Sequence, residues 1–295
     1  MAYGAVWKKR FPGSPIPETS AATRPTYTIF DHSRSVKVSQ ALVEILERVL
    51  GRGHFPLHEP RFNGNEQAYV QDCIASSFVS SMGAYVSRFE EMLAEIAGCQ
   101  RAVATVNGTT ALQLCLQLAG VRRDDEVLMP SLSFVATANA AHFLGAIPHF
   151  LDNEDATLGI DVEPAREWLT RNTERSQGYV RNKHTGRRIS TLVPMHTFGH
   201  PSDIDGLIAL ADDFKLVLVE DAAESLGSFY RGRHAGTLGR LGALSFNGNK
   251  IVTCGGGGAI LTNDVALANH AKHRSTTAKK PHAWAYVHDE VGYNF

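Results

Sequence analysis

Between residues 101 and 221 the chain alternates short apolar runs with helix-length amphipathic stretches, and this rhythm limits the fold more than any other feature of the sequence. AVATV (102–106) runs straight into NGTTALQLCLQLAGV. EVLMP leads to SFVATANAAHFLG, IPHFLD to EPAREWLTRN, STLVPMHTFG to PSDIDGLIALADDF, and KLVLVED closes the series at Asp221. Apolar runs of this length that do not alternate with polar residues read as strands buried on both faces, and the helices between them return the chain to the same edge of a sheet. The pattern predicts an α/β fold with a mostly parallel sheet covered by helices on both faces. After Asp221 come shorter strand-like pieces, ALSF and GAILTN, separated by turns and the run CGGGG, then a last helical stretch, VALANHAKHR. No internal repeat is present, which excludes a solenoid.

Residues 1–35 are rich in Pro, Ser, Thr and Gly without either periodicity and read as a flexible leader. VSQALVEILERVL (38–50) and EQAYVQDCIASSF (66–78) have helical spacing and flank the turn-rich GRGHFPLHEPRFNGNE. The expected organisation is therefore a leader (1–35), a large domain (36–290) that opens with a helical segment (36–95), and the start of a further C-terminal region (291–295). Lys plus Arg number 29 against 30 Asp plus Glu, so no basic surplus points to a nucleic acid. The four cysteines, Cys73, Cys99, Cys115 and Cys254, lie far apart with no CxxC pair. They read as reduced thiols of a cytoplasmic protein, with neither a zinc knuckle nor a disulfide framework. No run of eighteen apolar residues and no signal-type segment is present, so no membrane association is expected.

Three local patterns carry chemistry. NGTTAL (107–112) is a strand-to-helix turn whose Gly108, Thr109 and Thr110 could hold a phosphate at a helix N-terminus; read alone, it is equally an ordinary Asn-Gly turn with a Thr cap. LVLVED puts Asp221 at the carboxyl end of a strand, where ligands of open α/β sheets bind. A carboxylate there would favour a protonated pyridine nitrogen, although a helix-capping Asp is the alternative. A metal is the weaker reading, since no histidine pair at ligand spacing accompanies it. GALSFNGNKIVTCGGGGAI sets Ser245 and Lys250 between apolar strands and ahead of Gly255 to Gly258. A lysine enclosed by apolar neighbours can be desolvated, which favours its neutral, nucleophilic form, whereas an exposed loop lysine is inert. CGGGGAI opens into a strand and not a helix, which argues against a dinucleotide-binding turn.

In that order along the chain, the phosphate turn, the strand-end Asp and Ser-x4-Lys before a glycine run resemble the DegT/DnrJ/EryC1/StrS sugar aminotransferases, from about His54 to Phe295. The resemblance implies the fold-type I architecture of enzymes that use pyridoxal 5′-phosphate (PLP), with a seven-stranded-type sheet, and a homodimer that shares its active sites. It implies roles as well: Lys250 as the Schiff-base lysine, Gly108, Thr109 and Ser245 at the cofactor phosphate, and Phe134 stacked on the ring. Asp221 would face the pyridine nitrogen and Glu224 the ring's hydroxyl side, while Asn294 would reach the phosphate of a neighbouring subunit. His196 and His200 either line the site or are structural. FPLHEPRFNGNE, FVSSMGAYVSRFE and GAIPHFLDNEDATLGID are similar to the subgroup that aminates nucleotide-linked 4-keto sugars, with L-glutamate as donor, for legionaminic-acid-type and bacillosamine-type pathways. Two other readings stay open: a PLP-dependent dehydratase of the same family, whose members carry histidine where Lys250 stands, and a non-catalytic PLP- or sugar-binding protein. Family members continue past GYNF into an arginine-containing stretch and a small domain, so a C-terminally truncated form is expected.

Overall fold

The computed structural model describes residues 32–56, 58–176 and 178–295, and these divide after Pro56 into two units. Most of the expected leader, residues 1–31, lies outside the described residues. In the first unit, helix α1 (His32–Leu50) includes residues 32–35, which the sequence reading leaves in the leader. Its apolar repeat begins only at Val36, one turn inside, so periodicity could not locate its start. Leu42, Ile45, Leu46 and Val49 of α1 are exposed.

The second unit opens with α2 (Glu66–Ser76) and α3 (Ala84–Ala97), which precede β1 (Arg101–Thr105). The α/β alternation follows as α4 (Gly108–Leu118), β2 (Glu126–Pro130), α5 (Val135–Phe143), β3 (Ile147–Leu151) and α6 (Val162–Asn172). Next come β4 (Thr173–Ser176), β5 (Tyr179–Asn182), β6 (Arg188–Leu192), α7 (Ile204–Phe214) and β7 (Val217–Asp221). The chain then forms β8 (Phe229–Tyr230), β9 (Arg233–His234), β10 (Leu241–Ser245), β11 (Gly258–Thr262) and α8 (Val265–Ser275). Among the described residues, no helix is long and apolar enough to cross a membrane.

The main sheet has the strand order β1-β11-β10-β7-β6-β2-β3. From β10 to β3 the neighbours are parallel, and β11 is antiparallel to both β10 and β1. The sheet is thus mixed and mostly parallel along a seven-strand path, as expected for fold-type I. β4 and β5 add an antiparallel hairpin that joins at β6. The sequence reading passes over this hairpin because TERS and YVRN are short and polar, without a strand's alternation.

Successive strand residues enter opposite cores. Val103, Val127, Met129, Val219, Ala243 and Ile260 pack with α4, α5 and α8, whereas Leu128, Leu192 and Leu218 pack with α6 and α7. Ala102, Leu244, Ala259 and Leu261 join α3 on that second face. The two-residue period of a strand accounts for this sorting. Fully buried Leu112, Leu114 and Leu116 of α4 each contribute roughly 1.5–3 kcal/mol of burial.

Candidate active site

β1 is antiparallel to β11, which is antiparallel to β10, so β1, β10 and β7 end at the same edge of the sheet. Those ends carry the Asn107–Gly108 turn, Ser245 and Asp221. Gly258 lies between the first two, in register with both Thr105 and Ser245.

The turn is tightly packed. A Cβ on Gly108 would lie 2.7 Å from the Cβ of Ser245 and 3.1 Å from its Oγ, so only glycine brings the start of α4 this close to β10. Asn107 caps α4: its Oδ1 accepts from Thr110 N at 2.9 Å, and Thr110 Oγ1 donates to the Asn107 carbonyl at 2.9 Å. Both Thr110 donors are therefore used inside the turn. The N–H groups of Gly108 and Thr109 are first-turn amides with no acceptor within the helix, and the Ser245 hydroxyl stands beside Gly108. An anion suits such donors at the positive end of a helix.

Asp221 is buried at the end of β7. Its Oδ2 accepts from Thr137 Oγ1 at 2.5 Å, and its Oδ1 from the N–H of Ala223 at 3.3 Å. No cationic side chain among the described residues forms an ion pair with it. Burial pushes its pKa up, in spite of the hydrogen bonds from Thr137 and Ala223. A buried carboxylate with only neutral donors is chemically incomplete, and a cationic ring nitrogen would complete it.

Lys250 lies in the loop between β10 and β11 with its side chain 13% exposed, and its Nζ forms an ion pair with Glu224. Nζ also lies 5.9 Å from the centroid of the Phe134 ring. The apolar flanks do not enclose this lysine as its sequence suggests: Ile251 and Val252 are exposed, and the partner of the amine is a carboxylate. Phe134, at the start of α5, is 66% exposed and presents its ring at the mouth of the site instead of packing into the core.

Lys250, Glu224, Phe134, Asp221, Gly108, Thr109 and Ser245 are thus gathered at one sheet edge. Asn294 is exposed, and its backbone bridges to Thr276 beyond α8. His200 is exposed, while His196 is buried against Glu220. Sequence reasoning missed Thr137, although it lies three residues after Phe134 and so shares its helix face. It also missed Met195, whose Sδ accepts from Phe134 N at 3.3 Å.

Residues 60–295 match the DegT/DnrJ/EryC1/StrS aminotransferase family. The chain is 34% identical over 242 residues to a GDP-perosamine synthase of Escherichia coli O157:H7, covering 82% of this chain and 62% of that protein. It is 36% identical over 236 residues to a GDP-perosamine synthase of Caulobacter vibrioides, covering 80% and 59%. Among solved structures, the aminotransferase from Psychrobacter cryohalolentis is similar with a TM-score of 0.70 at 30% identity, over 82% of this chain and 59% of that one. The chain spans about three fifths of the length of the curated relatives it matches. With the motifs, the sheet order and the gathered strand ends in agreement, the chain belongs to the DegT/DnrJ/EryC1/StrS aminotransferase family, whose cofactor is PLP.

Proposed function

We propose that this chain acts as a PLP-dependent aminotransferase that passes the amino group of L-glutamate to the 4-keto group of a nucleotide-linked 4-keto-6-deoxy sugar. The observation that carries the reading is Asp221, buried, without an ion pair among the described residues and located at the sheet edge that also holds Lys250. When bound, PLP supplies a protonated pyridine ring that draws electrons from an attached carbon. Asp221 keeps the ring nitrogen protonated, because a buried anion stabilises a neighbouring cation. Gly108, Thr109 and Ser245 would take the phosphate, and Phe134 would offer a flat apolar face to the ring. Lys250 would hold the cofactor through Nζ and, as a free amine, would move a proton as acid and base. Glu224, ion-paired with Nζ, holds the side chain of Lys250 at the sheet edge where the cofactor would bind.

The relatives named GDP-perosamine synthases support a nucleotide sugar as the acceptor. Lysine at position 250 supports transamination over dehydration. The reading includes a homodimer in which Asn294 serves the partner's site, and a cytoplasmic location, to which the four unpaired cysteines are suited.

The test is to incubate the full chain with PLP, follow the absorbance at the edge of the visible range, and add L-glutamate while measuring 2-oxoglutarate. A band that bleaches with one equivalent of 2-oxoglutarate released, and that Lys250→Ala lacks, is the expected result. A wild-type band that L-glutamate leaves unchanged would overturn the transaminase reading.

A further inference from the structure

Glu220 precedes Asp221 on β7 and, by strand alternation, faces the opposite side of the sheet. It is fully buried and accepts four hydrogen bonds. Oε1 takes the N–H groups of Leu238 (2.7 Å) and Gly239 (2.6 Å); Oε2 takes Gly236 N–H (2.8 Å) and Nε2 of His196 (3.0 Å). His196 is also buried, and its Nδ1 accepts from Ser202 N at 3.2 Å, which assigns the ring hydrogen to Nε2.

From His196 the connection returns to the cofactor side of the sheet. The N–H of His196 donates to the Asp221 carbonyl (3.1 Å), and the N–H of Asp221 donates to the Pro194 carbonyl (2.9 Å), so 194–196 is the parallel neighbour that fixes the main chain of Asp221. Met195, between them, accepts at Sδ from Phe134 N (3.3 Å) and Ser133 Oγ (3.6 Å). Ser133 Oγ is also 3.0 Å from Thr137 Oγ1, the group that donates to the Asp221 carboxylate.

We infer that Glu220 and His196 are positioning residues of the active site: through Met195 and the start of α5 they hold the Asp221 carboxylate and the Phe134 ring in the geometry that receives the cofactor. The inference rests on the proposed function and adds a second, buried layer to it. A carboxylate is required at position 220, because an amide there would turn its NH₂ group towards two donors in either orientation: Leu238 and Gly239 N–H, or Gly236 N–H and the Nε2 hydrogen of His196. At position 196 the network needs one donor and one acceptor on the same side chain. Glutamine can supply both and leucine neither.

The experiment compares Glu220→Gln, His196→Leu and His196→Gln with wild type in the full chain, reading the dissociation constant for PLP, the melting temperature, and amide exchange of 133–137 and 195–198 without cofactor. In Glu220→Gln and His196→Leu the PLP dissociation constant should rise about tenfold and exchange should quicken in both segments, as expected where a buried network loses a member. His196→Gln should recover both towards wild type. Should Glu220→Gln not fold, the two His196 variants decide. Lower melting temperatures with PLP affinity and exchange at 133–137 unchanged would overturn the inference, leaving a purely structural network; equal losses in His196→Gln and His196→Leu would overturn it too. Failure of wild type to bind PLP would instead overturn the proposed function, and exchange would still test the network.

Discussion

The two faces of the sheet at the end of β7 treat adjacent carboxylates in opposite ways. On the face covered by α6 and α7, Glu220 is surrounded by three backbone amides and a histidine. Burial alone would raise its pKa, but His196, with the Gly239 and Gly236 amides, holds it below the usual range. On the face covered by α4 and α5, Asp221 has one hydroxyl and one long backbone contact, and burial pushes it up. Equal burial therefore does not set the state of a carboxylate; the number and kind of donors aimed at it do. The saturated face is a closed structural joint, and the unsaturated one is where a ligand has something to supply.

The sharpest way to break this contrast is to delete each acid. Glu220→Leu strands four buried donors and should lose about 3–5 kcal/mol in a urea titration. Asp221→Asn keeps an acceptor for Thr137 and should stay within about 1 kcal/mol of wild type while losing PLP affinity. Equal destabilisation by the two would erase the distinction.

A pH series of the cofactor-free chain sharpens it with effects of about 1.4 kcal/mol per unit of pKa displacement. Asp221 has a raised folded-state pKa, so its contribution is complete below its unfolded value of about 3.9 and fades as pH rises through the folded value. Asp221→Asn should thus gain on wild type as pH rises across that window. Glu220 has a lowered folded-state pKa, so its contribution is present above about 4.3 and is lost as pH falls through the folded value. The deficit of Glu220→Gln should shrink on acidification, opposite in sign to the Asp221 case. Parallel pH profiles would contradict the assignment.

The smallest expected effect belongs to Thr137→Val, which removes the hydroxyl from Asp221 Oδ2. A loss of about 1 kcal/mol is expected, with the Asp221 pH window moved upward. An unchanged window would mean that the hydroxyl does not tune the carboxylate.

Much of this arrangement is legible in the chain itself. Apolar runs ending in Asn107, Asp221 and Ser245 identify strand ends, and a parallel sheet brings such ends to one edge. The opposite facing of Glu220 and Asp221 follows from strand parity. What parity cannot supply is the donors, because those of Glu220 come from residues 196 and 236–239, loops whose approach is settled only by tertiary packing. Lys250 is a second instance. Its apolar neighbours Ile251 and Val252 turn out to solvent, and its partner Glu224 arrives from a loop 26 residues earlier. Thr137 looks like any threonine in a small-residue helix until β7 is packed beneath it.

The most direct test of the central claim, that this sheet edge is built around PLP, is to add PLP to the full chain, reduce with borohydride and map the added mass by peptide mass spectrometry. The account predicts a single dominant adduct on the peptide containing Lys250, strongly diminished in Asp221→Asn. Label spread over exposed lysines such as Lys215 and Lys280, with the Lys250 peptide unmodified, would contradict it.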